Sequence, residues 1–196
     1  MLSIAIQAGG QSSRMGRDKA LVPLMGKPII EHVLERISGL GDEILITTNR
    51  PQDYAYLGFR MAQDSNPGAG ALAGLKTALQ ASHGERVLVL ACDLPFVNKD
   101  LLKHLISLSD QADVTVPYRE GEYEPFLAIY AKTCLFAIEE SLKLGQMRMT
   151  SFYPLVKVLA LDEQEIATFD PLGLSFFNIN TPDELSKAER MLNGLD

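Results

Sequence analysis

The chain reads as an α/β protein: three layers, with a mainly parallel sheet covered by helices on both faces. Two observations predict this. Short, wholly apolar runs such as Arg86–Ala91 (RVLVLA) fit strands buried on both sides. These runs alternate with stretches whose apolar residues recur at helical spacing, as in Ile29, Ile30, Val33, Leu34 and Ile37. At 196 residues, with 46% hydrophobic and 22% charged residues, the composition is that of a soluble globular chain with a substantial core. No repeat or change in composition marks a linker. The expectation is therefore one domain over 1–196, with a first half to about 110 and a second half from about 111.

Taken in order, Ile4–Gln7 forms the first strand, and Ala8, Gly9 and Gly10 turn the chain without side-chain obstruction. Lys27-Pro28 opens a helix, with proline suited to its first position. Glu43–Thr48 is the second strand and Phe59–Ala62 a weaker one. A helix carrying Leu72, Leu75 and Leu79 follows among Gly68, Gly70 and Gly74. After the strand Arg86–Ala91, Asn98 caps a helix with Leu101, Leu102, Leu105 and Ile106 inward. Asp113–Pro117 and Phe126–Ala131 are strands, and Leu135, Phe136, Ile138 and Leu142 mark a helix. Leu155–Leu161 is a strand and Ser175–Ile179 a short extended piece. Thr181-Pro182-Asp183-Glu184 starts the last helix with a capping box.

The chemistry concentrates after the first strand. A glycine turn exposes backbone N–H groups that suit an anion, and Arg14, Arg17 and Lys19 add cations within six residues. The Walker A spacing is excluded, because Gly10 to Gly16 is one residue too long and Arg17-Asp18 follows. The dinucleotide fingerprint G-x-G-x-x-G is absent too. A Gly-Gly pair alone marks only an ordinary strand-to-helix turn. Joined to Arg14, Lys19 and the later Asp93, it points to a polyphosphate ligand. In open α/β sheets ligands sit beyond the carboxyl ends of strands, and Gly9-Gly10, Asn49, Asp64 and Asp93 all follow such ends. Asp93, directly after a buried strand, is placed either to cap a turn before Leu94-Pro95 or to hold Mg²⁺.

The stretch A-G-G-x-S-x-R-M-G-x-D-K-A-L over residues 8–21 resembles the signature of molybdenum cofactor guanylyltransferases, within the nucleotidyltransferase superfamily of Rossmann-like fold. Cys92-Asp93-Leu94-Pro95 matches the family's C-D-x-P, and F-N-I-N-T-P-D-E-L over 177–185 its closing motif. Two departures stand out. Gln7 replaces the usual leucine before A-G-G, placing a polar side chain beside the expected base pocket. Ala71 replaces proline in the G-P-L-A-G loop.

The resemblance implies a Mg²⁺-dependent enzyme that joins GMP from GTP to molybdopterin carrying molybdenum, with pyrophosphate released. Lys19, Arg14 and Asp93 would be catalytic, with Asp93 holding the metal. Ala8, Gly9, Gly10, Lys19, Asn49, Asp64 and Asp93 would bind the nucleotide, with Asn49 and Asp64 at ribose and guanine. Asn178 and Asn180 would meet the acceptor, and Asn180 also suits a metal shell; Arg148, after the Gly145-Gln146 turn, reads either as a contact to the acceptor's phosphate or as a solvated charge. Rival readings are a cytidylyltransferase acting on the same pterin, another small-molecule nucleotidyltransferase, or a nucleotide-binding adaptor without catalysis. The cytidylyl relatives usually carry A-A-G, so Gly9 favours a purine. Molybdoenzyme apoproteins or other cofactor-biosynthesis proteins are the protein partners this role implies.

Other features exclude rather than assign. A net charge of −7 argues against general affinity for nucleic acid or anionic membrane. The apolar runs fall far short of the ~20 residues that span a bilayer. With no secretory pattern at its start and only Cys92 and Cys134, the chain fits a reducing cytoplasm. His32, His83 and His104 stand apart, which disfavours zinc. Arg17 and Lys27 read as solvated charges, and Cys92 as a small core residue.

Overall fold

A computed structural model describes residues 1–8, 18–63 and 70–194. Strand β1 (Leu2–Gln7) comes first, and a single 3₁₀ turn at Lys19–Leu21 leads to a small antiparallel ribbon, β2 (Pro23–Leu24) with β3 (Lys27–Pro28). Pro28 therefore belongs to the ribbon and precedes helix α1 (Ile29–Ile37) rather than opening it. Then come β4 (Glu43–Thr47), α2 (Pro51–Tyr54), β5 (Arg60–Ala62), α3 (Ala71–Ala81) and β6 (Arg86–Ala91). The second half adds α4 (Lys99–Leu108), β7 (Val114–Arg119), β8 (Glu122–Tyr123), β9 (Leu127–Ala131) and α5 (Cys134–Lys143). It ends with β10 (Val158–Leu161), α6 (Glu163–Phe169) and α7 (Pro182–Leu192).

Among the described residues, the large sheet runs β10-β7-β9-β6-β1-β4-β5, with β8 hairpinned onto β7. The pairs β1–β4, β1–β6, β4–β5 and β7–β10 are parallel, while β9 runs antiparallel to β6 and β7. The sheet is thus mostly parallel, as expected. The chain builds outward from β1 to β5, then crosses back to place β6 on the other side of β1. That reversal opens a crevice at the carboxyl ends of β1 and β6.

Side chains of the central strands alternate between two buried faces. Ile4, Ile6, Leu88 and Leu90 pack with Val33 and Ile37 of α1, Leu101 and Leu105 of α4, and Ile166 of α6. Ala5, Leu45, Val87 and Val89 pack with Leu72, Leu75 and Leu79 of α3 and Ile138 of α5. Each leucine so buried stabilises the fold by about 1.5–3 kcal/mol relative to exposure. A smaller cluster, with Val22, Leu24, Ile29, Phe96, Ile179 and Ala188, seats α7 beside the ribbon. No helix among the described residues is long and apolar enough to cross a membrane.

Three segments depart from expectation. Residues 153–155 wind into a 3₁₀ turn, so the strand expected from Leu155 begins at Val158. Residues 174–176 also form a 3₁₀ turn instead of extended chain. Asp170 causes this, accepting from Leu174 N at 3.1 Å and Ser175 N at 2.7 Å, just after Gly173 takes φ +64°. Helix α6 was not anticipated. Its signal was the D-x-x-E pattern, since Asp162 caps it by accepting from Glu165 N at 2.9 Å.

Candidate active site

The crest of the sheet is extended by backbone pairing beyond the strand ends. Ala8 N donates to Thr47 O at 2.9 Å, Thr48 N to Ala62 O at 2.9 Å, and Cys92 N to Gln7 O at 3.2 Å. These bonds carry the chain straight out of the core, so Ala8, Asn49 and Asp93 emerge along one edge. Asn49 is exposed there.

Three short segments then converge. Asp18 caps the 3₁₀ turn by accepting from Ala20 N at 3.2 Å, and Ala20 is fully buried, which fixes Lys19 between them. Asp93 is only 2% exposed, and its carbonyl accepts from Ile179 N at 3.2 Å. Ile179 is itself buried and delivers the next residue, Asn180. Lys19 Nζ donates to Asp93 Oδ2 and, at 3.1 Å, to Asn180 Oδ1. A helix cap holds Asn180 in place: Glu184 Oε2 accepts from Asn180 N at 2.7 Å and Thr181 N at 2.9 Å, and Thr181 Oγ1 accepts from Glu184 N.

Burial works against the charge on Lys19, but the Asp93 carboxylate beside it prevails and holds the ammonium pKa above its ordinary value. Next door, burial pushes the Cys92 thiol well above its usual range, so it is inert as a nucleophile. Asp93 Oδ1 is buried and has no hydrogen-bond partner among the described residues. A carboxylate with one oxygen on a lysine and the other uncommitted fits a hard divalent cation, which prefers oxygen ligands. No group of three or more His, Cys, Asp or Glu residues suited to a metal occurs among the described residues.

Of the residues singled out in the sequence, Lys19, Asp93 and Asn180 come together in direct contact. Ala8 lies on the same crest. Asn178 is exposed two residues before Asn180, on the segment bonded to Asp93. Arg148 is exposed on a loop whose neighbour Met147 accepts from Leu72 N at 3.3 Å, at the start of α3. Gly9, Gly10, Arg14 and Asp64 lie outside the described residues.

Sequence reasoning passed over two features. Glu184 was read only as a helix cap, although it also fixes Asn180. Arg119 carried no motif, yet its guanidinium lies 4.7 Å over the Phe176 ring and pairs with Glu120 at 2.7 Å and Glu124 at 3.6 Å. Burial raises the pKa of Glu124, against the pull of Arg119.

The sequence profile of the MobA-like NTP transferase domain matches residues 4–157, which include Lys19 and Asp93. The chain belongs to this family. A probable molybdenum cofactor guanylyltransferase of Carboxydothermus hydrogenoformans is 37% identical over 192 residues, covering 98% of this chain and 97% of that protein. The molybdenum cofactor guanylyltransferase of Desulfosudis oleivorans is 35% identical, covering 94% and 92%. Among solved structures, molybdopterin-guanine dinucleotide biosynthesis protein A of Archaeoglobus fulgidus superposes with a TM-score of 0.85 at 30% identity, over 98% of this chain and 99% of that one. The family spans both halves of the sheet: its match begins in β1 and ends just before β10.

Proposed function

We propose that this protein transfers GMP from GTP to molybdopterin bearing molybdenum, forming the guanine dinucleotide form of the cofactor and releasing pyrophosphate. The observation that carries this reading is the convergence of Asp93 and Asn180 on Lys19 at the sheet's switch point, with one Asp93 oxygen lacking a partner among the described residues. The names of the relatives supply the substrates.

In the proposed reaction a terminal phosphate oxygen of the pterin attacks the α-phosphorus of GTP in line. The new P–O bond forms as the bond to the β-phosphate's bridging oxygen breaks, and pyrophosphate leaves with that electron pair. The attacking oxygen is already ionised at neutral pH, so the chain needs no general base. Its work is positioning and charge. Lys19 neutralises charge building on the α-phosphate and the leaving group, and Arg14 is assigned the adjacent phosphates. The amides of Gly9 and Gly10 bind the triphosphate beside Ala8, whose own N–H is taken by Thr47 O, while Asn49 and Asp64 meet ribose and guanine. Arg148, Asn178 and Asn180 orient the acceptor. Asp93 would hold Mg²⁺, which would supply positive charge to offset the negative charge arising on the phosphates. These substrates and this chemistry suit the cytoplasm.

Turnover with molybdenum-loaded molybdopterin decides the matter. Pyrophosphate release is expected with GTP and not with CTP or ATP. A preference for CTP overturns the guanylyl assignment, and no release with any nucleotide overturns the transferase assignment.

A further inference from the structure

Lys19 Nζ donates to two oxygens, Asp93 Oδ2 and Asn180 Oδ1, which reach it from separate segments. One is a carboxylate oxygen and the other a side-chain amide carbonyl, both of the kind a hard divalent cation takes. The seat they form does not depend on the lysine. The Ile179 N to Asp93 O bond ties the two segments by their backbones, and Glu184 Oε2 holds Asn180 N. Asp93 is nearly buried, and its Oδ1 has no hydrogen-bond partner among the described residues. The lysine is the movable member. Its head is half-buried on a flexible methylene stem, while the Asp18 cap and buried Ala20 keep its backbone in place. The ammonium can therefore leave the seat without a change in the fold.

We propose that Lys19 is a placeholder: in the chain alone its ammonium takes the seat of the divalent cation, and it yields that seat when a nucleotide brings the metal. This rests on the reading of Asp93 as the residue that holds Mg²⁺. Charge favours the exchange only with nucleotide present. Lys19 and Asp93 together are neutral, so a divalent cation added by itself would crowd a second cation against one carboxylate. A triphosphate supplies negative charge for both cations and gives the displaced ammonium new oxygens to bind. The consequence is an order of binding: metal alone binds weakly, and metal enters with the nucleotide. The same contact keeps Asp93 paired between turnovers, when an unpaired, nearly buried carboxylate would be costly.

The test is binding of Mn²⁺ to the full chain without nucleotide, followed by electron paramagnetic resonance. The chains compared are the wild type, Lys19→Met, Lys19→Gln, Asp93→Asn and the double variant Lys19→Met/Asp93→Asn. Both lysine variants should bind Mn²⁺ about tenfold tighter than the wild type, and the double variant should show no gain over Asp93→Asn. Lys19→Met should also melt below the wild type, and Mn²⁺ should restore much of that loss while leaving the wild type's melting temperature unchanged. Equal Mn²⁺ affinity in the wild type and the folded lysine variants, or a gain that survives in the double variant, overturns the placeholder role. A GTP titration of the wild type with and without Mn²⁺ separates this from the reading beneath it, and the metal is expected to tighten GTP binding. If Mn²⁺ neither binds any of these chains nor tightens GTP binding, the metal assignment of Asp93 falls and the placeholder falls with it.

Discussion

Asp93 and Lys19 are a nearly buried carboxylate and a half-buried ammonium in contact, an arrangement that contributes little net stability once desolvation is counted. Its value is positional: it fixes a cation and an uncommitted oxygen at one point. Asp93→Asn and Lys19→Ala should each lower turnover about a hundredfold, as removal of one oxyanion donor does. Because the folded-state pKa of Lys19 is raised, its pairing contributes stability through the neutral range and loses it only as pH rises through that value. An activity profile taken from pH 6 to 9 should show no loss from Lys19 deprotonation.

Glu43 is the opposite case, at the other end of the sheet. Burial pushes its carboxyl up, but His83 N–H, Ser3 Oγ–H and Arg60 outweigh this and bring the pKa down to about 2. Its stabilisation is therefore complete above the ordinary carboxylate pKa and is lost as pH falls from there toward 2. On the order of 3 kcal/mol is at stake. Denaturant midpoints measured from pH 6 to 2 should fall steeply for the wild type, and with a shallower slope for Glu43→Gln.

At the level of elements, the caps decide both structure and site. Thr181→Ala should cost about 1 kcal/mol by thermal unfolding. Glu184→Ala keeps the Thr181 Oγ1 bond to the backbone N at 184 but loses the reciprocal bonds from Thr181 N and Asn180 N, so it should raise the acceptor KM beyond the effect of Thr181→Ala. Equal acceptor KM values in the two variants would separate Glu184 from the site. The caps at Asn98 and Thr181 were legible because each is written in adjacent residues. The turn at 174–176 was not. Ser175-Phe176-Phe177 has strand-like composition, and Asp170 and Gly173 override it from just upstream. Ser175 Oγ then accepts from Asn98 N at 2.8 Å, a contact 77 residues apart in sequence. Helix α6 has few apolar residues, so its periodicity was faint while its cap was plain.

Across the whole molecule, the reversal of strand order at β1 and β6 places the site. Hydrophobic runs reveal where strands end, which is why Asn49 and Asp93 could be read as neighbours of one crevice. Asn180 meets Lys19 from 161 residues away, and only packing of α7 and Ile179 brings it there. At Gly84 an added Cβ would stand 2.7 Å from Ser3 N and 2.8 Å from Met1 O, both backbone atoms. Gly84→Ala should destabilise the fold by about 1–3 kcal/mol and leave the GTP/ATP binding ratio unchanged.

The most direct test follows the α-phosphate. With GTP labelled at that position and molybdenum-loaded molybdopterin as acceptor, the label should enter the dinucleotide product, one pyrophosphate being released for each, and Asp93→Asn should slow this about a hundredfold. Label that remains in GTP, or a rate in Asp93→Asn equal to the wild type's, would contradict the role given to the Lys19–Asp93–Asn180 site.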